Sequence, residues 1–224
     1  MYVSGVFCKG SFEMNTMKDI KLFVWDFDGT LLDTYPNITG YLCKALLDFG
    51  YDVSQTEILE KMMENIPYAI NYYSELYQLP DLQAHYKSYA AAEKDAPVVI
   101  FPQVKEVLKR INELGAGNYI FTNRGDSIYP MLEQAGILGE FKEIVTSANP
   151  NFVVKPAPDT ILYLMKKYGG TTENTLMIGD RVCDLESGYS AQCRTCHLLT
   201  PAVPQYPPCD WRISNFAEML ELLK

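Results

Sequence analysis

Residues 22–25 read Leu-Phe-Val-Trp, and the run then meets the carboxylates of Asp26 and Asp28, with Phe27 between them. A strand with no polar face must be covered on both sides, which places it inside a parallel sheet between layers of helix. Such a strand reaches water at its carboxyl end, where open α/β sheets bind ligands. Side chains two apart on a strand point the same way, so Asp26 and Asp28 are expected to face one cavity. Two carboxylates that close call for a cation, a shared proton or both.

The rest of the chain supplies the helices and strands that this sheet requires. From Pro102 onward, helix and strand patterns alternate. Val104, Val107, Leu108, Ile111 and Leu114 form a helical stripe, and "NYIFTN" reads as a strand. A helix over 128–135 leads to the strand "EIVTS", and another over 159–168 leads to "TLMIGD". A short helix then precedes "RTCHLL", and Phe216, Met219, Leu220 and Leu223 mark a closing helix. Repeated βα units imply a parallel sheet with right-handed crossovers. The fold class is therefore α/β, a doubly wound parallel sheet. No G-x-G-x-x-G follows a strand, which excludes a dinucleotide site of the usual form.

Between the first strand and this alternation, residues 34–97 are helical in pattern and rich in Tyr, with breaks at "FGYDVS", "NIPY" and "QLPD". Ala69, Tyr72, Tyr73 and Leu76 have the spacing of a buried helix face and are read as the core of a small helical unit. The expected organisation is a main domain of residues 19–33 and 98–224 with residues 34–97 inserted as a small domain. Residues 1–18 show little pattern and are read as a disordered tail or non-native start, with Met14 or Met17 as alternative first residues.

Charge narrows the range of partners. A formal net charge of -9, with no basic stripe, disfavours nucleic acid. An anionic small substrate would then need local positive charge, from a metal ion or a well-placed Lys. No run is long enough to span a bilayer, so a cytoplasmic protein, off the membrane and a monomer or homodimer, is expected. "CRTCH", residues 193–197, has the spacing of a haem-attachment site. On a strand, however, Cys193 and Cys196 face opposite sides, so both are read as buried free thiols.

The residues at successive strand ends are Asp26 and Asp28, then Thr122 and Asn123, then Lys155, then Asp180 and Asp184. Carboxylates, one Lys, and a hydroxyl beside an amide suit Mg²⁺ and a phosphoryl group. His85 and His197 lie outside the set, which disfavours zinc and histidine-based chemistry.

"DFDGT", "TN", "KPAP" and "GDRVCD", in that order and each after a strand, resemble the four motifs of the haloacid dehalogenase-like superfamily in its phosphatase branch. The resemblance runs from about Ile20 to Lys224 and implies a Rossmann-like core with a helical cap. It implies that Asp26 is the nucleophile, forming an aspartyl-phosphate, and that Asp28 is the acid and base. It implies further that Mg²⁺ is held by Asp26, the Asp28 carbonyl and Asp180, with Asp184 supporting directly or through water. Thr122 and the Asn123 N–H would bind phosphoryl oxygens, and Lys155 would offset their charge. Arg124 is expected to be exposed. The resulting expectation is a Mg²⁺-dependent phosphatase of a small phosphorylated metabolite, phosphoglycolate or a sugar phosphate, beneath a mobile cap over residues 34–97. Two alternatives share the plan: a phosphomutase resembling β-phosphoglucomutase, and a non-catalytic phosphometabolite-binding protein. A dehalogenase has no need of an acid at Asp28.

Overall fold

A computed structural model describes residues 16–92, 96–97, 99–200 and 208–224. Strand β1, Leu22–Trp25, is buried along its whole length. It is the centre of a six-stranded sheet with β2 (Gly117–Phe121), β3 (Phe141–Val145), β4 (Thr175–Gly179), β5 (Arg194–Leu198) and β6 (Trp211–Ile213), in the order β3-β2-β1-β4-β5-β6. All pairings are parallel. The chain runs from β1 to β2 and β3 on one side, then crosses from β3 to β4 on the other, so the crevice at the carboxyl ends of β1 and β4 is the topological switch point of the sheet.

Helices cover both faces. Four span the region after β1: α1 (Tyr35–Leu47), α2 (Gln55–Met62), α3 (Ile66–Tyr77) and α4 (Leu82–Ala92). Then follow α5 (Val104–Glu113), α6 (Ile128–Ala135), α7 (Asp159–Tyr168), α8 (Val182–Ser190) and α9 (Phe216–Leu222). Phe23 and Trp25 pack with Val107, Leu108 and Ile111 of α5 and with Phe216 and Met219 of α9. Leu22 and Val24 point the other way, onto Ile161 and Leu164 of α7. Alternation along one apolar strand thus supplies both cores. Each such buried side chain contributes about 1.5–3 kcal/mol. The buried indole of Trp25 donates to Asn118 Oδ1 at 3.0 Å, so its polar atom is satisfied inside the sheet.

The Cys193–His197 segment obeys the same alternation. Cys193 joins the cluster on the α7 face and Cys196 the cluster on the α5 face, and both are free thiols.

Helices α1–α4 carry their own apolar cluster, with Leu42, Leu46, Ile58, Leu82 and Tyr86 among its members. Ser54 and Glu57 form a capping box that starts α2, and the Asn65 side chain caps α3. The buried stripe of α3 differs from the sequence expectation. Ala69, Ile70 and Tyr73 are buried, whereas Tyr72 is 37% and Leu76 54% exposed. The inward face is rotated by about one position, and Tyr72 instead lies beneath the Lys61 ammonium, 4.7 Å from its ring centre. The chain enters and leaves this unit by two adjacent segments: Asp33 N donates to Val99 O at 2.8 Å, and Phe101 N to Leu31 O at 3.2 Å.

At the amino end, residues 1–15 and also Val98 of the crossing segment lie outside the described residues. Met17, assigned from sequence to the tail, is buried in the main core, and its N–H donates to Leu222 O at 2.8 Å. The folded chain therefore begins before residue 18, because α9 offers an apolar face for that side chain. Among the described residues, no helix is long and apolar enough to cross a membrane.

Candidate active site

Asp26 follows β1 directly, and its N–H donates to Ile178 O at 2.8 Å, extending the β1–β4 pairing by one residue. This fixes its carboxylate at the switch point, fully buried. Beside it stand Asp180 and Asp184, also fully buried, and carboxylate oxygens of the three lie within 4.8 Å of one another. The buried Lys155 ammonium pairs with Asp26 Oδ1 and, at 2.7 Å, with Asp184 Oδ1. Thr30 ties the cluster together, donating to Asp180 Oδ1 at 3.0 Å with Asp26 Oδ2 at 3.4 Å.

The Lys155 ammonium and the nearby Arg181 guanidinium against three buried carboxylates leave a surplus of negative charge. Burial and the Asp184 charge lift Asp26 to about 6, despite the opposing pull of Lys155. Burial and its two carboxylate neighbours lift Asp180 further, to about 8. Lys155 is held well above its usual range, since its carboxylate neighbours outweigh burial.

Asp28 is in different surroundings. β1 ends at Trp25 and the chain turns at Gly29, where φ is +77°, so the Asp28 carboxylate meets partners of its own while its charge still acts on Asp26. Its carboxylate is gripped by Arg124, with Nε 3.0 Å from both oxygens and the Nη2 nitrogen 2.6 Å from Oδ1. Thr34 donates to Oδ1 at 2.6 Å. Burial pushes Asp28 upward, but the Arg124 charge and these hydrogen bonds outweigh it and hold the carboxyl below its ordinary range. Arg124 is accordingly not the exposed residue expected from sequence. Its side chain is only 18% exposed and belongs to a partly buried ion pair.

The other expected residues assemble around these two groups. Thr122 is buried, and its Oγ1 accepts from Arg124 N at 3.0 Å. The Asn123 side chain brackets the Lys155 backbone, accepting from its N–H at 2.8 Å and donating to its carbonyl at 3.2 Å. The "TN" motif thereby positions the "KP" lysine. Asp184 serves two structural ends, its Oδ2 accepting the Arg181 N–H at the start of α8 while Oδ1 holds Lys155.

Four residues with no role expected from sequence belong to the site. Thr30 bridges two of its carboxylates. Tyr35 donates to Asp180 Oδ2 at 2.7 Å, with the Asp28 carbonyl at 3.3 Å. His197 Nε2 lies 3.1 Å from Asp180 O, and burial depresses its imidazole, so a neutral ring props the loop after β4. Arg181 lines a cavity of about 1300 Å³ together with Asn123, Lys155 and Cys183 from the sheet ends and Lys61 and Tyr68 from α2 and α3. The Arg181 Nε is buried without a hydrogen-bond partner. An aromatic at the start of α1 and an Arg next to an Asp carry no local sign of such placement.

The carboxylate cluster suits a hard divalent cation. Its donors are all oxygen, its charge is only partly offset by Lys155 and Arg181, and neither His nor Cys belongs to the group.

These features agree with the comparisons to known proteins. The profile of the haloacid dehalogenase-like hydrolase family matches residues 23–198. A phosphoglycolate phosphatase of Vibrio parahaemolyticus is 28% identical over 229 residues, covering 93% of this chain and 98% of that protein. A pyrophosphatase of Oceanobacillus iheyensis is 26% identical over 179 residues, covering 79% of this chain and 82% of its own length. The crystal structure of a predicted phosphoglycolate phosphatase from Haemophilus somnus superposes with a TM-score of 0.80 at 23% identity, covering 92% of this chain and 99% of that one. With a family profile that runs from β1 to β5 and takes in every residue of the carboxylate cluster, the chain belongs to the haloacid dehalogenase-like hydrolases and is a phosphatase among them.

Proposed function

We propose that the protein hydrolyses a small phosphorylated metabolite by way of an aspartyl-phosphate on Asp26. The observation that carries this reading is the placement of Asp26: a buried carboxylate at the sheet switch point, one oxygen held by Lys155, beside an all-oxygen acidic cluster. An ionised carboxylate attacks phosphorus without a general base. Lys155 binds Oδ1, so Oδ2, which has the longer Thr30 contact, is the oxygen placed to attack. The new Oδ2–P bond forms as the P–O bond to the leaving group breaks, and Asp28 gives that leaving oxygen its proton. Asp28 then takes a proton from water, which attacks the acyl phosphate and releases inorganic phosphate. To donate, Asp28 must first leave its pairing with Arg124.

Asp26, Asp180 and the Asp28 carbonyl would hold Mg²⁺, with Asp184 acting through Lys155. When bound, the ion would offset charge on the transferring phosphoryl group. Thr122 and the Asn123 N–H are assigned to phosphoryl oxygens. We read residues 34–97 as a cap on a core of residues 19–33 and 98–224. The separate apolar cluster of α1–α4 and the cavity between α2–α3 and the sheet ends support this division. Arg181 and Lys61, both on that cavity, favour a substrate with a second anionic group, as in phosphoglycolate. Free thiols at Cys43, Cys183, Cys193, Cys196 and Cys209 support a reducing, cytoplasmic setting.

The test is release of inorganic phosphate from a panel of phosphate esters in the presence of Mg²⁺. Turnover is expected to be fastest for small esters that carry a carboxylate. Phosphate retained on the product would instead indicate a mutase, and no turnover of any ester would overturn the reading.

A further inference from the structure

Tyr35 holds the two oxygen positions that the metal reading needs most. Its hydroxyl donates to Asp180 Oδ2 at 2.7 Å and lies 3.3 Å from the Asp28 carbonyl oxygen. The other Asp180 oxygen is already engaged, by Thr30 at 3.0 Å. An atom within reach of both oxygens stands where a cation shared by Asp180 Oδ2 and the Asp28 carbonyl would lie, so hydroxyl and ion compete for that position.

The ring has a defined resting place and a defined way out. It lies flat on the backbone of Gly29: a Cβ built there would overlap the Tyr35 ring and come within 2.7 Å of Asp180 Oδ2. Only glycine admits the ring this close. Gly29 and Tyr35 also border a second cavity of about 610 Å³, lined further by Asp33, Pro36, Thr39, Phe101 and Phe216. It is large enough to receive a phenol ring, and its apolar walls suit one.

Tyr35 is also the first residue of α1 and packs against the apolar cluster of the helical unit. Turning the ring out therefore acts on the segment that joins this unit to the sheet.

We propose that Tyr35 is a gate on the metal site, its hydroxyl capping Asp180 and the Asp28 carbonyl until the ring turns into the adjacent cavity and the cation takes those oxygens. The proposal rests on the metal reading above and adds to it a residue that sets metal affinity and links metal occupancy to the helical unit. By reciprocity, whatever moves α1 changes the affinity for the ion, and the ion changes the position of α1. The opposite role, a phenol that orients Asp180 for the metal, predicts the opposite sign on removal of the hydroxyl.

The experiment measures Mg²⁺ binding by calorimetry, without substrate, on the wild type, Tyr35→Phe and Asp180→Ala. Tyr35→Phe is expected to bind about tenfold tighter, the loss of one competing charge-assisted hydrogen bond. Asp180→Ala is expected to lose binding. Unchanged or weaker binding by Tyr35→Phe overturns the gate while leaving the metal reading in place. Wild-type binding no stronger than that of Asp180→Ala overturns the metal reading, and the gate with it. An independent readout keeps Tyr35 itself: 3-fluorotyrosine introduced at position 35 alone, followed by ¹⁹F NMR. Its resonance is expected to shift as Mg²⁺ saturates the protein and to stay put in an Asp180→Ala background. A resonance that does not move while calorimetry records binding overturns the gate.

Discussion

Asp26 and Asp28 are separated by one residue, yet burial has opposite outcomes at the two. At the floor of the site, Asp26 is buried with two more carboxylates and is pushed up, although Lys155 and Arg181 pull the other way. At the mouth, Asp28 has an arginine and a hydroxyl to itself and is held down. The floor is short of positive charge, and the mouth is balanced. A polar group out of water takes its state from its partners. The floor therefore calls for a cation from outside the chain, while the mouth is complete and must be opened before Asp28 can work as an acid.

Asp26→Asn gives the largest expected effect. An amide of the same shape cannot attack phosphorus, so kcat should fall on the order of 10⁴-fold or more in a variant that still folds. Phosphate release by the purified protein, with circular dichroism to verify the fold, is the measurement. A rate within a few per cent of wild type would take the chemistry away from the floor.

Next in size is a gain. A carboxyl lifted to about 8 in the fold binds its proton more tightly there than in the unfolded chain, so metal-free stability falls as pH rises from about 4 toward 8. Asp180→Asn removes that loss. In EDTA at pH 7.5 the variant is expected to be more stable by about 2 kcal/mol, or roughly 4–8 °C in Tm for a chain of this size. The gap should narrow at pH 5, and Mg²⁺ should raise the Tm of the wild type but not of the variant. An Asn variant less stable than wild type in EDTA at both pH values would mean that the floor carries no surplus charge.

The floor and the mouth also differ in how far they could be read from sequence. The floor was legible because its parts sit where period and punctuation are strong. An all-apolar strand ends at Asp26, Gly179 closes β4 just before Asp180, and Lys155 stands before a proline. Helices α6 and α7 follow the same logic, each a clean apolar stripe halted by glycine at Gly136 and Gly169. The mouth was not legible. Arg124 and Asp28 are 96 residues apart, and nothing local distinguishes a buried Arg from an exposed one. Tyr35 beside Pro36 reads as the start of a helix, and its side chain crosses to another element. Strand β6 has three residues, too few to show a period, and only its pairing with β5 defines it. Local periodicity records which face is buried; it does not record which distant charge a side chain will meet.

Arg124→Met tests the mouth. With the guanidinium gone, burial becomes the main influence on Asp28 and its pKa rises. If Asp28 must be protonated to donate, the alkaline limb of kcat/KM should move up by about one pH unit, equivalent to ~1.4 kcal/mol. A pH–rate profile on one substrate measures it. A limb that stays where it was would mean that the ion pair is already broken when the proton is needed, and the mouth would then be open in the reacting complex.

The smallest expected effect is a difference, about 1 kcal/mol, between two threonines. Thr34 is the residue before α1, but its hydroxyl makes no capping bond; it donates to Asp28 Oδ1 instead. Thr34→Val keeps the branched shape and removes that donor alone. Asp28 still receives three hydrogen bonds from Arg124, so the expected loss is about 1 kcal/mol or less, no more than roughly 2–4 °C in Tm. Thr30→Val makes the same chemical change at the floor, where the hydroxyl lies between Asp180 Oδ1 and Asp26 Oδ2. Its removal leaves buried carboxylate oxygens short of a donor and is expected to cost about 2 kcal/mol. Thermal denaturation of both variants in EDTA measures the difference, with circular dichroism to show that α1 persists in Thr34→Val. Equal losses would mean that floor and mouth are equally well supplied with donors, and the contrast between the two aspartates would then rest on charge alone.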